Sequence, residues 1–277
     1  MKRTLSIAGS FLLLNAFAFG QIDIREVDFK NFSYQPFCAG NEPKKVTVKN
    51  GKFFEEKRMD GYVDRFYFNV FDIVYGDLNG DGKDEAVILT VCNTGGSGNF
   101  SEGFIYSMKG NSPYLLTRIP GGDRAYGGLR SARVENGLLT VESNDVGEKG
   151  GACCPEFVVT ARFKLMGNKI VKSGKASRRE LYPKERVTFA KGSSGKTFKV
   201  TIPAQDLKRF VIGARAGQTL TVSISSNQAS LRLLDEAKVT DGANNFIALL
   251  PKNGDYSFEI RSNADAGVEF TINVKIR

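Results

Sequence analysis

Apolar residues along this chain fall in short, strand-like runs separated by Gly-rich turns, and the runs flanking its acidic loop, 66–75 and 86–91, carry no amphipathic helical stripe. The last run, VEFTINVKI, alternates cleanly, with Val268, Phe270, Ile272, Val274 and Ile276 on one face. RFYFNVFDIVY and AVILTV are denser apolar and aromatic runs rich in β-branched residues, which favour strands. Turn chemistry separates the runs: Asn50-Gly51 within KKVTVKNGKFFEE, Ala216-Gly217-Gln218, and Lys252-Asn253-Gly254-Asp255. GFIYSM and the segments 115–119, 138–141 and 157–165 continue the pattern in the first part. From Arg186 onward the runs RVTFA, KTFKVTIP, KRFVIGARA, QTLTVSIS, SLRLLD, NNFIALLP, DYSFEIR and VEFTINVKI crowd short strands into roughly 90 residues, as a sandwich or jelly-roll requires. The predicted class is all-β with room for one short helix: a disulfide-linked β domain over 21–171, then a β-sandwich or jelly-roll over 186–277. KSGKASRRELYPKE, over 172–185, is polar and charged and reads as a linker whose Arg178 and Arg179 are simply solvated.

The first residues change the picture by assigning a compartment. Lys2 and Arg3 precede a short, mostly apolar run to Phe19, and Ala18-Phe19-Gly20 offers small residues at the cleavage positions. This is the pattern of a secretory signal peptide over 1–20, cut before Gln21, and it predicts a periplasmic or secreted protein. No cysteine follows the run until Cys38, so no lipid-anchor cysteine is present, and no later apolar stretch approaches the length of a membrane span. The formal charge of +9 falls to +7 on cleavage. Its residues are scattered among strand-like segments without an interleaved aromatic platform, which reads as a solvated basic surface and not as a specific nucleic-acid site.

Four cysteines in an exported chain suggest two disulfides. They are Cys38, Cys92, Cys153 and Cys154, and three pairings are formally open. A bridge between the neighbours would demand an unusual strained ring. The expectation is therefore that Cys153 and Cys154 reach separate partners among Cys38 and Cys92, from an extended segment whose side chains point opposite ways, within one domain.

The strongest chemical signal is the stretch FDIVYG-DLNGDGKDE-AVILTV, strand, loop, strand. Asp77, Asn79 and Asp81 offer side-chain oxygens at positions 1, 3 and 5, Lys83 a backbone carbonyl at position 7, and Glu85 falls at position 9. These are hard oxygen ligands suited to Ca²⁺, and Gly80 and Gly82 let the chain fold back tightly. Position 12 is Ile88, where a helix-loop-helix hand needs a bidentate Glu. The bland alternative is an acidic hairpin turn without metal.

Three resemblances follow from these residues. The loop resembles the calcium loop of FG-GAP and integrin-type propeller blades, although one copy does not make a propeller. The run VYGDLNGDGKDEAVILTVCNTGGSGNF with GGACCPEFVVTARF resembles a domain of uncharacterised exported bacterial proteins and some mycobacterial-type lipoproteins, which implies a secreted, non-catalytic domain. RVTFAKGSSGKTFKVTI, RFVIGARAGQTLTVSIS and LPKNGDYSFEIRS resemble the β-sandwich shared by pre-peptidase C-terminal domains and the periplasmic inhibitors of g-type and i-type lysozymes. Those motifs are largely scaffold, and no inhibitory residue maps onto this sequence.

AKGSSGKT, residues 190–197, satisfies a relaxed phosphate-loop pattern, but FKVTIP follows where a helix is needed, so it reads as a hairpin loop. The chain has no histidine, which removes imidazole bases and His-ligated zinc. The reading is a non-enzymatic exported binding protein of the bacterial cell envelope with a structural Ca²⁺ site, its partner a protein or glycan and its sharpest version a lysozyme inhibitor. The alternative is a secreted hydrolase or hydrolase accessory module acting on glycan or peptide.

Overall fold

The computed structural model describes residues 22–39, 45–147 and 150–277. The signal peptide expected over 1–20 lies outside them. Apart from two 3₁₀ turns, Ile24–Glu26 and Phe37–Ala39, the regular structure is strand, and no α-helix occurs among the described residues. The chain is all-β. No helix of the described residues is long and apolar enough to cross a membrane.

Contacts group the chain into two units, one spanning Met1–Ser143 with Thr160–Ser177 and the other Asn144–Val159 with Arg178–Arg277. In chain order the strands up to the second unit's own are β1 (Ser33–Tyr34), β2 (Val46–Thr47), β3 (Lys52–Met59), β4 (Tyr62–Gly76), β5 (Glu85–Asn93), β6 (Phe100–Lys109), β7 (Ser112–Ile119), β8 (Leu129–Glu135), β9 (Leu138–Asp145), β10 (Phe157–Met166) and β11 (Lys169–Lys172). Strands β3 to β7 form one sheet in sequence order, each pairing antiparallel with the next. β8 to β11 follow in a second sheet, and β1 pairs with β2.

The AVILTV run explains the first unit's packing. Successive strand residues face opposite ways. Ala86 and Ile88 therefore join a cluster with Tyr34, Phe68 and Phe104, while Val87 and Leu89 join another with Ile105, Ile119 and Leu139. Both faces of β5 are buried, which is why its apolar run has no polar alternation. The Asn50-Gly51 turn has the left-handed φ values of 50° and 78° that a tight hairpin needs.

The second unit is built from β12 (Ser177–Glu180), β13 (Lys184–Arg186), β14 (Gly195–Ile202), β15 (Leu207–Ala214), β16 (Thr219–Ile224), β17 (Ala229–Leu233), β18 (Lys238–Asp241), β19 (Asn245–Leu249), β20 (Gly254–Ser262) and β21 (Val268–Ile276). Two sheets, in orders β13-β15-β20-β17 and β14-β21-β16-β19-β18, enclose one core. Phe210, Tyr256, Phe258 and Ile260 come from the first sheet, and Leu220, Phe246, Phe270, Ile272 and Val274 from the second. The alternation read in VEFTINVKI is the inward face of β21, buried from Phe270 to Ile276 with Val268 half-buried.

Two sequence expectations need correction. The segment 172–185 contains strands β12 and β13, the first pairing with β10 and the second running parallel to β15. Both are exposed strands held at sheet edges by main-chain hydrogen bonds, and their charges are paired: Arg186 bonds Asp255, while Arg178, expected to be simply solvated, bonds Asp145 Oδ2 at 2.6 Å and lies over the Phe157 ring. That composition is indistinguishable from a linker's. Residues 144–159, read as part of the first domain, group with the second unit.

Candidate functional site

The loop between β4 and β5 is stitched by its own side chains. Asp77 Oδ1 accepts the Gly80 N–H at 2.7 Å and Oδ2 the Gly82 N–H at 2.9 Å. Asn79 Oδ1 accepts the Asp81 N–H at 2.8 Å, and Asp81 Oδ1 accepts the Lys83 N–H at 2.8 Å. Each short side chain bonds an amide a few residues on, the mechanism that makes Asp and Asn turn formers. Gly80 and Gly82 adopt φ values of 80° and 81°, which a side chain would strain. The two glycine N–H donations, with Gly82 the larger, hold the Asp77 carboxyl below its ordinary value.

Glu85 behaves differently. Its residue is fully buried. Oε2 accepts the Leu78 N–H at 2.9 Å, and Oε1 accepts from Asn79 Nδ2 at 2.8 Å and from Ser107 Oγ at 3.1 Å. Burial pushes its carboxyl up from the ordinary value. The residue latches the loop's start to β6. From outside the loop, Arg25 Nε donates to Asp84 Oδ2 at 2.6 Å.

The donor chemistry suits a hard cation, because every candidate side chain presents oxygen and each accepting oxygen keeps a second lone pair. The placement is a loop closed on its own amides: among the described residues no three or more His, Cys, Asp or Glu side chains group closely enough to hold a metal ion. Asp77, Asn79, Asp81 and Lys83 are brought together in the turn, while Glu85 is turned inward to the sheet. The expected succession of strand, loop and strand is what the structure contains.

The cysteine expectation is overturned. Cys38 bonds Cys92, with Cα atoms 6.5 Å apart, and Cys153 bonds its neighbour Cys154, with Cα atoms 3.8 Å apart. The 151–154 segment is a turn, closed by the Cys154 N–H on the Gly151 carbonyl at 3.0 Å, so the argument from an extended backbone does not apply. The Phe37–Ala39 turn delivers Cys38 to β5 and leaves each remaining cysteine only the other. The first bridge lies in the first unit and the second in the second, not in one domain.

AKGSSGKT runs through a turn into β14, a strand, so the helix N-terminus that would hold phosphates is missing there. Two buried acids escaped the sequence reading. Glu102, on β6, accepts the Phe37 N–H at 2.8 Å and bonds Arg118 at 2.6 Å. Glu259, on β20, lies 3.0 Å from Arg209 and 3.6 Å from both Arg232 and Arg261. Neither stands in a motif, and only strand pairing assembles their partners.

No protein-family model matches the sequence, and no curated protein matches it significantly. Among solved structures, the chain is similar to Aeromonas hydrophila PliG, a periplasmic lysozyme inhibitor of g-type lysozyme, at 26% identity over 34% of this chain and 96% of that one, with a TM-score of 0.30. It is similar to Salmonella Typhimurium PliG at 22% identity over 34% and 99%, also with a TM-score of 0.30. A glycoside hydrolase family 43 arabinoxylan arabinofuranohydrolase from Bacillus subtilis overlaps 81% of this chain and 78% of its own at 8% identity, with a TM-score of 0.23. At such TM-scores no residue role is carried across.

Proposed function

We propose that the chain is a non-enzymatic binding protein of the bacterial cell envelope, whose second unit inhibits a lysozyme-type enzyme. One observation carries the binding reading over the hydrolytic one. The buried carboxylates among the described residues, Glu85, Glu102 and Glu259, are each committed to partners inside their own unit. A glycosidase needs a carboxyl free to protonate a leaving group and a second one facing it. The target comes from the motifs of residues 186–277, which resemble the lysozyme-inhibitor sandwich. The test is lytic activity of g-, i- and c-type lysozymes with and without micromolar mature protein. Slowing of at least one, g-type first, is expected, and unchanged rates in all three sink the inhibitory reading.

A structural Ca²⁺ belongs to the same proposal. Asp77, Asn79 and Asp81 would hold it with the Lys83 carbonyl, and Glu85 would brace the loop from the sheet side. The ion would neutralise the acidic turn and stabilise the folded unit by mass action. Calorimetry should detect Ca²⁺ binding to the mature protein that vanishes in Asp77→Ala and Asp81→Ala. Heats indistinguishable from those variants would remove the ion from the account.

A further inference from the structure

Beside the Cys38–Cys92 bridge the first unit opens a cleft of about 470 Å³, within the range of small-molecule sites. Its walls include Phe37, Phe100, Ile119, Pro120 and the disulfide, with Glu102 among them. Phe37 is 74% exposed and Phe100 44%. An exposed ring ordinarily gains nothing from being held still, yet Phe37 is held three ways. Its N–H bonds the buried Glu102, the Arg118 guanidinium stacks 4.4 Å from its ring centroid, and the next residue is disulfide-bonded to β5. Arg118 is itself fixed, through Nη1 on Glu102 Oε2 at 2.6 Å, Nη2 on the Gln35 carbonyl at 2.6 Å, and a second stack 4.6 Å from the Phe104 centroid.

This is preorganisation of an aromatic wall before any ligand arrives, which lowers the ordering cost of binding. The charge of the cleft is also decided. The chain carries a formal +9, but no Lys or Arg is among the lining residues, and both oxygens of Glu102 are occupied by Phe37 and Arg118. The Arg118 and Glu102 charges beside the cleft neutralise each other, so a charged ligand would find no unpaired counter-charge, whereas an aromatic ring would find faces to stack on. We propose that this cleft binds a small uncharged molecule bearing an apolar ring. The site lies wholly within the first unit and stands independently of lysozyme inhibition.

A neutral fluorescent naphthylamine dye, N-phenyl-1-naphthylamine, can be excited directly, at wavelengths longer than those any protein side chain absorbs. The wild type should give a saturable, blue-shifted rise with one site per chain. Thr94→Trp places a bulky ring from an exposed position on the cleft wall and should weaken binding roughly tenfold or more. Phe100→Ala should weaken it several-fold and serves if Thr94→Trp fails to fold, as judged by circular dichroism. Tyr62→Ala, an exposed ring on the β3–β4 hairpin outside the cleft, should bind dye as the wild type does. Absence of saturable binding by the wild type, or full binding by both cleft variants, overturns the proposal. So does binding of a Phe-bearing peptide that Thr94→Trp blocks while the dye does not bind, since the cleft would then receive a polypeptide.

Discussion

The two units solve the problem of burying strands in opposite ways. In the second, two sheets face each other across one core; β16 and β21 alternate buried apolar residues with more exposed ones, and β20 alternates apolar residues with the buried polar Ser257 and Glu259. In the first, a single sheet carries a separate core on each face, and its central strand β5 is buried on both sides. The lesson is that a two-residue period is legible only where one face of a strand is polar, whether that face meets water or, as at Ser257 and Glu259 of β20, is buried. A strand with an apolar core on each face hides its period, and its neighbours in sequence belong to different cores.

The largest expected effect tests that difference directly. Ile88→Ala and Leu89→Ala should each cost the first unit about 2–5 kcal/mol, since both side chains are fully buried. Although adjacent, they sit in different clusters, so the double variant should lose close to the sum of the two. Phe210 and Phe258 in the second unit are distant in sequence but stack with centroids 5.3 Å apart, and their truncations should be clearly non-additive. Denaturant titration of the four single and two double variants decides the matter; coupling between Ile88 and Leu89 as large as that between the phenylalanines would break the comparison.

The disulfides give the next contrast. Cys38 and Cys92 are 54 residues apart, so their bridge closes a long loop in the unfolded chain, an effect of about 4 kcal/mol on the entropic account. Cys153 and Cys154 are adjacent and close none. Replacing the first pair with alanine should lower the first unit's melting temperature by many degrees, while replacing the second pair with serine should leave the second unit's transition nearly in place. Calorimetric scans of both variants, in the absence of reductant, measure this.

The smallest effect is a difference in acid response. Burial raises the Glu102 carboxyl above its ordinary 4.5, so the stability it contributes is full below that pH and is lost as pH rises through the folded value. The Arg186 guanidinium, bonded to both oxygens of Asp255, holds that carboxyl below 3.8. Its contribution is present above 3.8 and is lost as pH falls through the lower folded value. Glu102→Gln should therefore flatten the first unit's stability profile above pH 4.5, and Asp255→Asn the second unit's below pH 3.8, as followed by thermal melts across that range. Profiles unchanged by either substitution would remove both assignments.

Much of this was legible in the residues. The Asn50-Gly51 turn, the inward face of β21 and the strands flanking the acidic loop all follow from local chemistry that acts within a few positions. The edge strands β12 and β13 were not legible, because SRRE and KER are held by main-chain bonds to partners far along the chain. Nor was the role of Glu85. Its place at position 9 of a ligand series says nothing of Ser107, which reaches it only because β5 pairs with β6. The cysteines misled because an extended backbone was assumed where Gly151 and Cys154 close a turn.

By itself, then, the sequence determined the strand class, the tight turns and the order of oxygen donors in the acidic loop, since period, φ preference and side-chain-to-amide reach are properties of near neighbours. Tertiary structure alone decided which cysteines meet, that β5 serves two cores, and that Phe37, Glu102 and Arg118 converge on one cleft. Those contacts join residues up to 81 positions apart, and no local free-energy preference selects a partner at that distance; strand register and the burial of apolar faces do.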